Sequence, residues 1–195
     1  MLGYLFITFI VIFCIQLIFY LLVFGSFSLS KSKPVKSSFN QPVSVLICAK
    51  NEAKNLIKNI PFLLKQNYTN FEIVLINDCS RDHTLKVMEQ FKKESKIPIK
   101  IVDVTSNEQF WGSKKYALTL GIKAASHEHL LFIDADCKPV SEHWISEMTH
   151  NFSNKHQLVL GYGAYQKTEK SFLNKLIRFE TLLTAIQYFS YSKIG

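Results

Sequence analysis

From Pro42 to about residue 152, short β-branched or apolar runs alternate with segments of helical periodicity, and this rhythm constrains the fold more than any other feature. Apolar runs of four to eight residues bounded by polar ones read as strands buried on both faces, the kind found inside parallel sheets. Strands are expected at Val43–Cys48, Phe71–Ile76, Ile99–Val104 and Leu130–Ile133, with a further one at Leu158–Gly161. Between them, Glu52–Gln66 carries Leu56, Ile57, Ile60 and Leu64 at helical spacing, with Pro61 as a break point. Asp82–Glu94, Lys114–Ala125 and residues 141–152 complete the set of expected helices. Such alternation, without internal repeats, implies an α/β fold with a mainly parallel, doubly wound sheet. All motifs at the carboxyl ends of the strands would then lie on one edge.

The segment ahead of this domain belongs to another environment. Leu2–Phe24 contains no charge, with Thr8 and Gln16 as its strongly polar side chains. It is long enough to cross a hydrocarbon core of about 30 Å, too long for a signal-peptide core, and has no basic residue before it. The expected organisation is a transmembrane helix at 1–25, a Ser- and Lys-rich linker at 26–41, an α/β domain at 42–165, and an amphipathic helix in 166–195. Lys31, Lys33 and Lys36 follow the span, so the positive-inside rule places the domain in the cytoplasm, tethered to the cell membrane by a single pass. Cys14, Cys48, Cys79 and Cys137 show no C-x-x-C spacing, which suits free thiols and not a zinc site.

The net charge of +8 is almost all lysine, with Arg81 and Arg178 the only arginines. A basic domain beside an anionic leaflet accounts for it, and no basic stripe argues for nucleic acid. In Phe172–Tyr191 the residues Phe172, Leu176, Phe179, Leu183 and Ile186 follow helical spacing among basic residues. That helix either covers the sheet or lies in the membrane interface.

Four clusters fall at strand ends. After the first strand, Cys48-Ala-Lys-Asn-Glu52 either caps a helix or lines a ligand pocket. After the second, Asn77-Asp-Cys-Ser-Arg-Asp82 offers Ser80 or Asp82 as a cap, and leaves Asp78 to accept hydrogen bonds from a base or ribose. Gly112-Ser-Lys-Lys-Tyr-Ala-Leu118 puts Lys114 at a helix start, adverse to the dipole unless an anion is near. After the fourth strand, Asp134 and Asp136 are one residue apart, so alternation would send both the same way. Two such carboxylates repel unless a cation lies between them; hard divalent ions fit, and a turn cap beside a solvated Asp is the competing reading.

In their order, these clusters resemble the family 2 glycosyltransferases of the GT-A fold. The likeness runs through Val43-Ser-Val-Leu-Ile-Cys-Ala-Lys-Asn-Glu52, Ile76-Asn-Asp-Cys-Ser-Arg-Asp-His-Thr84, Gly112–Leu118 and Phe132-Ile-Asp-Ala-Asp136, over roughly residues 42–165. It implies transfer of a sugar from a UDP- or GDP-sugar donor, with inversion, assisted by Mg²⁺ or Mn²⁺, to a lipid-linked or cell-envelope acceptor. By the same resemblance, Cys48, Lys50 and Glu52 would line the nucleotide pocket, Asp78 would contact the base, and Lys114 would lie near the phosphates. Asp134 would sit at the ribose and metal edge, and Asp136 would be the metal ligand.

An inverting transfer also needs a base to take the acceptor's proton. Family members supply an aspartate beyond the Asp-X-Asp motif, yet no aspartate follows Asp136 here. Glu142, Glu147, Glu169 and Glu180 remain, outside any recognisable motif, and the Gln-X-X-Arg-Trp motif of processive members is absent. The chain therefore reads as the donor half of a longer membrane enzyme. A non-catalytic, membrane-anchored nucleotide-sugar-binding module is the alternative. A haloacid-dehalogenase-type phosphatase fits poorly, because Lys138 stands where that family wants Thr or Val.

Overall fold

The computed structural model describes residues 2–29, 40–105, 114–153 and 156–194, which form two compact units. The larger unit holds four strands, β1 (Val43–Ala49), β2 (Phe71–Asp78), β3 (Ile99–Val104) and β4 (His129–Phe132). They pair in parallel in the order β3-β2-β1-β4. The intervening helices are α2 (Ala53–Leu64), α3 (Thr84–Glu94), α4 (Lys114–Ala124) and α5 (Trp144–Thr149). Every residue of β2 is buried, as the apolar run Ile73–Ile76 requires of a strand covered on both faces.

Alternation along the strands sorts the core into two layers. Val43, Val45, Ile47, Ile73 and Leu75 pack with Leu56, Ile60 and Leu63 of α2, with Met88 of α3 and with Ile145 of α5. Leu46, Val74 and Ile76 point to the other face, toward Ala117 of α4. Gly121 permits the close approach of α4: a Cβ there would overlap the Cδ1 of Ile76 and lie 2.7 Å from its Cγ1. The chain runs β1 to β2 to β3 in one direction and then returns to place β4 on the other side of β1. That reversal opens a crevice at the carboxyl ends of β1 and β4, where open α/β sheets take their ligands.

Three local expectations need correction. Pro61 does not break α2, which continues to Leu64. The carbonyl it deprives of a partner, that of Ile57, belongs to a residue on the exposed side of the helix, where water can serve it. The helix expected at 141–152 is only the six residues of α5, and the segment before it is held by hydrogen bonds from Gln66 and Asn67 in the loop after α2. Leu158–Gly161 forms no strand, and Leu158 and Leu160 are exposed.

The smaller unit contains α1 (Leu2–Ser28) and α6 (Phe172–Ile194). The stretch Leu2–Gly25 is long and apolar enough to cross a membrane. The two helices pack through Phe24 against Tyr191, Phe27 stacked on Phe189, and Lys193 over the Phe27 ring. Ser171 caps α6 by accepting the Asn174 amide at 3.1 Å. Ala185 and Ser190 are buried, whereas Phe172, Leu176, Phe179 and Leu183 form an exposed apolar stripe. Within its unit the helix takes α1 as its partner.

Candidate active site

The crevice is a cavity of about 420 Å³ lined by Cys48, Lys50, Glu52, Asp78, Lys114, Asp134, Ala135 and Asp136. All seven residues singled out from the sequence therefore meet in one place. Gly112 and Ser113 of the third cluster lie outside the described residues.

Two linked loops build one wall of the cavity. Asn51 adopts a left-handed backbone at φ 59°, a conformation asparagine tolerates better than most residues. Its amide donates to Ser80 Oγ at 3.0 Å, and its Oδ1 accepts the Arg81 amide at 2.8 Å. Asp82 accepts the Thr84 amide and hydroxyl, and also the Ala53 amide at 3.3 Å, so one carboxylate serves the starts of both α2 and α3. The Thr84 hydroxyl, followed by the amides of Thr84 and Ala53, holds the Asp82 carboxyl below the usual range. Neither Ser80 nor Asp82 is the residue immediately before α3, a place taken by His83.

With its neighbours thus engaged, Asp78 is left facing the cavity. It is 5 % exposed, and among the described residues its nearest cation is Lys50, with Nζ 4.0 Å from Oδ2. Glu52 is steered by Asn55, whose Nδ2 donates to Oε2 at 2.6 Å. Burial, reinforced by the charge of Asp78, pushes the Cys48 thiol up to about 11, so it stays protonated near neutral pH.

On the opposite wall Asp134 and Asp136 come together by a turn and not by strand alternation. β4 ends at Phe132, and the Cys137 amide returns to the Asp134 carbonyl at 3.0 Å. Ala135 is buried and its carbonyl accepts Asn59 Nδ2 at 2.9 Å, while the two carboxylates on either side stay exposed. Lys114, the first residue of α4, donates to Asp134 Oδ1 at 2.6 Å. This hydrogen bond raises the Lys114 ammonium above its ordinary value and supplies the anion its position at a helix start demands. Burial, then the charge of Asp136, pushes the Cys137 thiol up to about 11.

Ligand atoms of Asp134, Asp136 and Cys137 lie within 4.8 Å of one another. Carboxylate oxygens suit Mg²⁺ or Mn²⁺, whereas a protonated thiol does not. Charge makes the stronger argument: two ammonium groups line the cavity against four carboxylates. A diphosphate entering such a cavity would add to its negative charge, an excess that a divalent ion would balance.

The profile of Glycosyl transferase family 2 matches residues 44–193. The chain belongs to that family. Over 109 residues it is 35 % identical to the poly-β-1,6-N-acetyl-D-glucosamine synthase of Staphylococcus epidermidis, a match covering 55 % of this chain and 25 % of the relative. Over 95 residues it is 30 % identical to the poly(ribitol-phosphate) β-N-acetylglucosaminyltransferase TarS of Staphylococcus aureus, covering 48 % and 16 %. The chain therefore spans a quarter or less of the length of these family 2 relatives. The mannosyltransferase PcManGT from Pyrobaculum calidifontis, solved with GDP-Man and Mn²⁺, superposes with a TM-score of 0.61 at 20 % identity, over 71 % of this chain and 40 % of that one. This likeness establishes a shared GT-A fold.

Asn59 and Gln66 escaped the sequence reading. Both are polar residues in the otherwise apolar buried pattern of α2 and its exit, and that interruption was the available signal.

Proposed function

We propose that this chain binds the donor of a membrane-associated glycosyltransferase, holding a UDP- or GDP-sugar together with a divalent ion for inverting transfer to a lipid-linked or cell-envelope acceptor. The observation that carries this reading is the charge balance of the cavity, two lysines against Glu52, Asp78, Asp134 and Asp136, at the reversal point of a family 2 sheet. Asp134 and Asp136 would hold Mg²⁺ or Mn²⁺, and the ion, when bound, neutralises the departing nucleoside diphosphate. Asp78 accepts from the base, Glu52 and the backbone of Cys48–Lys50 border the nucleotide, and Lys114 exchanges Asp134 for a phosphate oxygen. The named relatives make an N-acetylhexosamine the first sugar to test.

Membrane attachment is supported by the apolar Leu2–Gly25 and by Lys31, Lys33 and Lys36 after it, which favour a cytoplasmic domain. The exposed stripe Phe172, Leu176, Phe179 and Leu183, flanked by Lys175 and Arg178, suits a helix lying at the bilayer surface.

One observation favours a second reading, donor binding without turnover by this chain alone. Among the described residues neither Glu142 nor Glu147 lines the cavity, and Glu52 is engaged by Asn55. Calorimetry of UDP-N-acetylglucosamine, UDP and GDP with the full chain, with and without Mn²⁺, tests the site. Expected is tighter nucleotide binding with Mn²⁺, lost in Asp136→Ala. Equal affinity under both conditions, or an unaffected mutant, would refute the metal assignment. Release of free sugar or a glycosylated acceptor would separate the enzyme from the binding module.

A further inference from the structure

We infer that Asn59 is a positioning residue for the metal-binding turn, acting through the main chain of Ala135; this deepens the donor-site reading and rests on it. Asn59 lies on the buried face of α2 among Leu56, Ile60 and Leu63, and is 5 % exposed. An amide in such surroundings is costly unless it is hydrogen-bonded. Its Nδ2 reaches across 76 residues of sequence to the Ala135 carbonyl at 2.9 Å. Ala135 stands between Asp134 and Asp136, and its side chain is sunk in the same core layer as Leu56 and Ile60.

The turn is thereby held at three points. The Ala135 side chain fixes its depth, the Cys137 amide on the Asp134 carbonyl closes it, and Asn59 fixes the rotation of its central peptide. Rotating that peptide would swing the two carboxylates apart or away from the cavity. Orientation of this kind matters to an ion, whose ligands must stay within a few tenths of an ångström of their places.

Gln66 offers an internal contrast. It is also buried, and its Nε2 donates to the Ser141 carbonyl at 2.8 Å while its Oε1 accepts the Ile145 amide at 3.0 Å. It secures the far end of the connection from β4 to α5, beyond the two carboxylates. Loss of Gln66 should loosen the fold without redirecting the ligands.

The test uses the full chain, with UDP as probe. Calorimetry gives the Mn²⁺-dependent gain in UDP affinity, paramagnetic resonance gives Mn²⁺ binding directly, and thermal melting gives stability. Asn59→Leu is expected to reduce Mn²⁺ affinity by about 10- to 100-fold, as loss of an outer-shell hydrogen bond does elsewhere. Its metal-free UDP affinity should remain as in the wild type, and Asn59→Gln, which keeps the donor, should recover part of the loss. Gln66→Leu should melt earlier yet keep the gain. Should Asn59→Leu fail to fold, Asn59→Asp preserves the volume, turns the donor into an acceptor facing a carbonyl, and is expected to lose the gain. Retention of the gain in the Asn59 variants, with its loss in Asp136→Ala, would overturn the role of Asn59 and leave the site standing. No gain in the wild-type chain would overturn both.

Discussion

The substitution Glu72→Gln should destabilise the sheet without disturbing the nucleotide site. Glu72 is the second residue of β2, 3 % exposed, six positions from Asp78 and so roughly 20 Å from it along the strand. Its carboxylate accepts the Ser44 hydroxyl at 2.7 Å, the Ser126 amide at 2.5 Å and the Ser126 hydroxyl at 2.9 Å. Lys100 Nζ stands 3.5 Å away and itself donates to Ser126 Oγ and the Ala124 carbonyl. This cluster ties the loop between α4 and β4 to β1, β2 and β3 at once. Hydrogen bonds to a charged acceptor contribute about 1.5–3 kcal/mol each, against about 1 kcal/mol for neutral pairs. Glutamine keeps the shape and one acceptor oxygen, so three weakened donors put the cost at about 3 kcal/mol, including little for the half-exposed Lys100. For a domain of this size that lowers Tm by roughly 10 °C. Burial pushes the Glu72 carboxyl up, but the Ser126 amide, the two hydroxyls and Lys100 together pull it below its ordinary value. A carboxyl lowered on folding stabilises the fold above its unfolded pKa of about 4.3, and that stability vanishes as pH falls through the folded value. Circular dichroism melts of wild type and Glu72→Gln should therefore differ fully near neutral pH and converge below about pH 4. A gap that persists unchanged into strong acid, or no gap at neutral pH, would refute the argument that charge holds this cluster. UDP affinity at temperatures below both transitions should be equal in the two proteins.

Two further outcomes follow from packing and from the thiols. Gly121→Ala drives a Cβ into Ile76, which is wholly buried and immediately precedes Asn77 and Asp78. Overpacking of about 1–3 kcal/mol outweighs alanine's helix preference of about 1 kcal/mol, so melting should fall by several degrees and UDP affinity with it; an unchanged melting curve would mean that α4 can move away freely. Cys48 and Cys137, with thiols at about 11, should resist alkylation. Near pH 8 their thiolate fraction is roughly 200-fold below that of an ordinary thiol at about 8.5, and labelling followed by mass spectrometry should accelerate about tenfold per pH unit. Rapid labelling of Cys48 at neutral pH would contradict the buried, acid-lined setting assigned to it.

What the sequence made legible is what strand topology dictates. Parallel strands end on one edge, so Cys48, Asp78 and Asp134, each just at or past an apolar run, had to converge once the alternation was recognised. Even there, the route differed from the expectation. Asp134 and Asp136 share a side because a turn and a pinned peptide bring them together, since β4 has already ended. Leu158–Gly161 shows the converse failure. Its composition suits a strand, but a strand exists only where another offers its edge in register, and composition does not encode that.

The contacts that resist reading are polar and distant in sequence. Asn51 on Ser80 and Arg81, Asn59 on Ala135, Gln66 on Ser141 and Ile145, and Glu72 on Ser126 all join segments far apart in the sequence. Each depends on helix and loop register at the level of a single residue, which hydrophobic periodicity leaves free. For Asn59, Gln66 and Glu72 the trace in the sequence is a polar residue where the pattern asks for an apolar one, and burial makes that departure expensive unless it is bonded. Asn59 and Glu72 are the two clearest departures, one holding the turn that bears the carboxylates, the other the opposite end of the sheet. Polar interruptions of a buried stripe therefore point to the main-chain positions that have to stay still. In this family 2 chain one such position lies between Asp134 and Asp136, the two aspartates proposed above to hold a divalent ion.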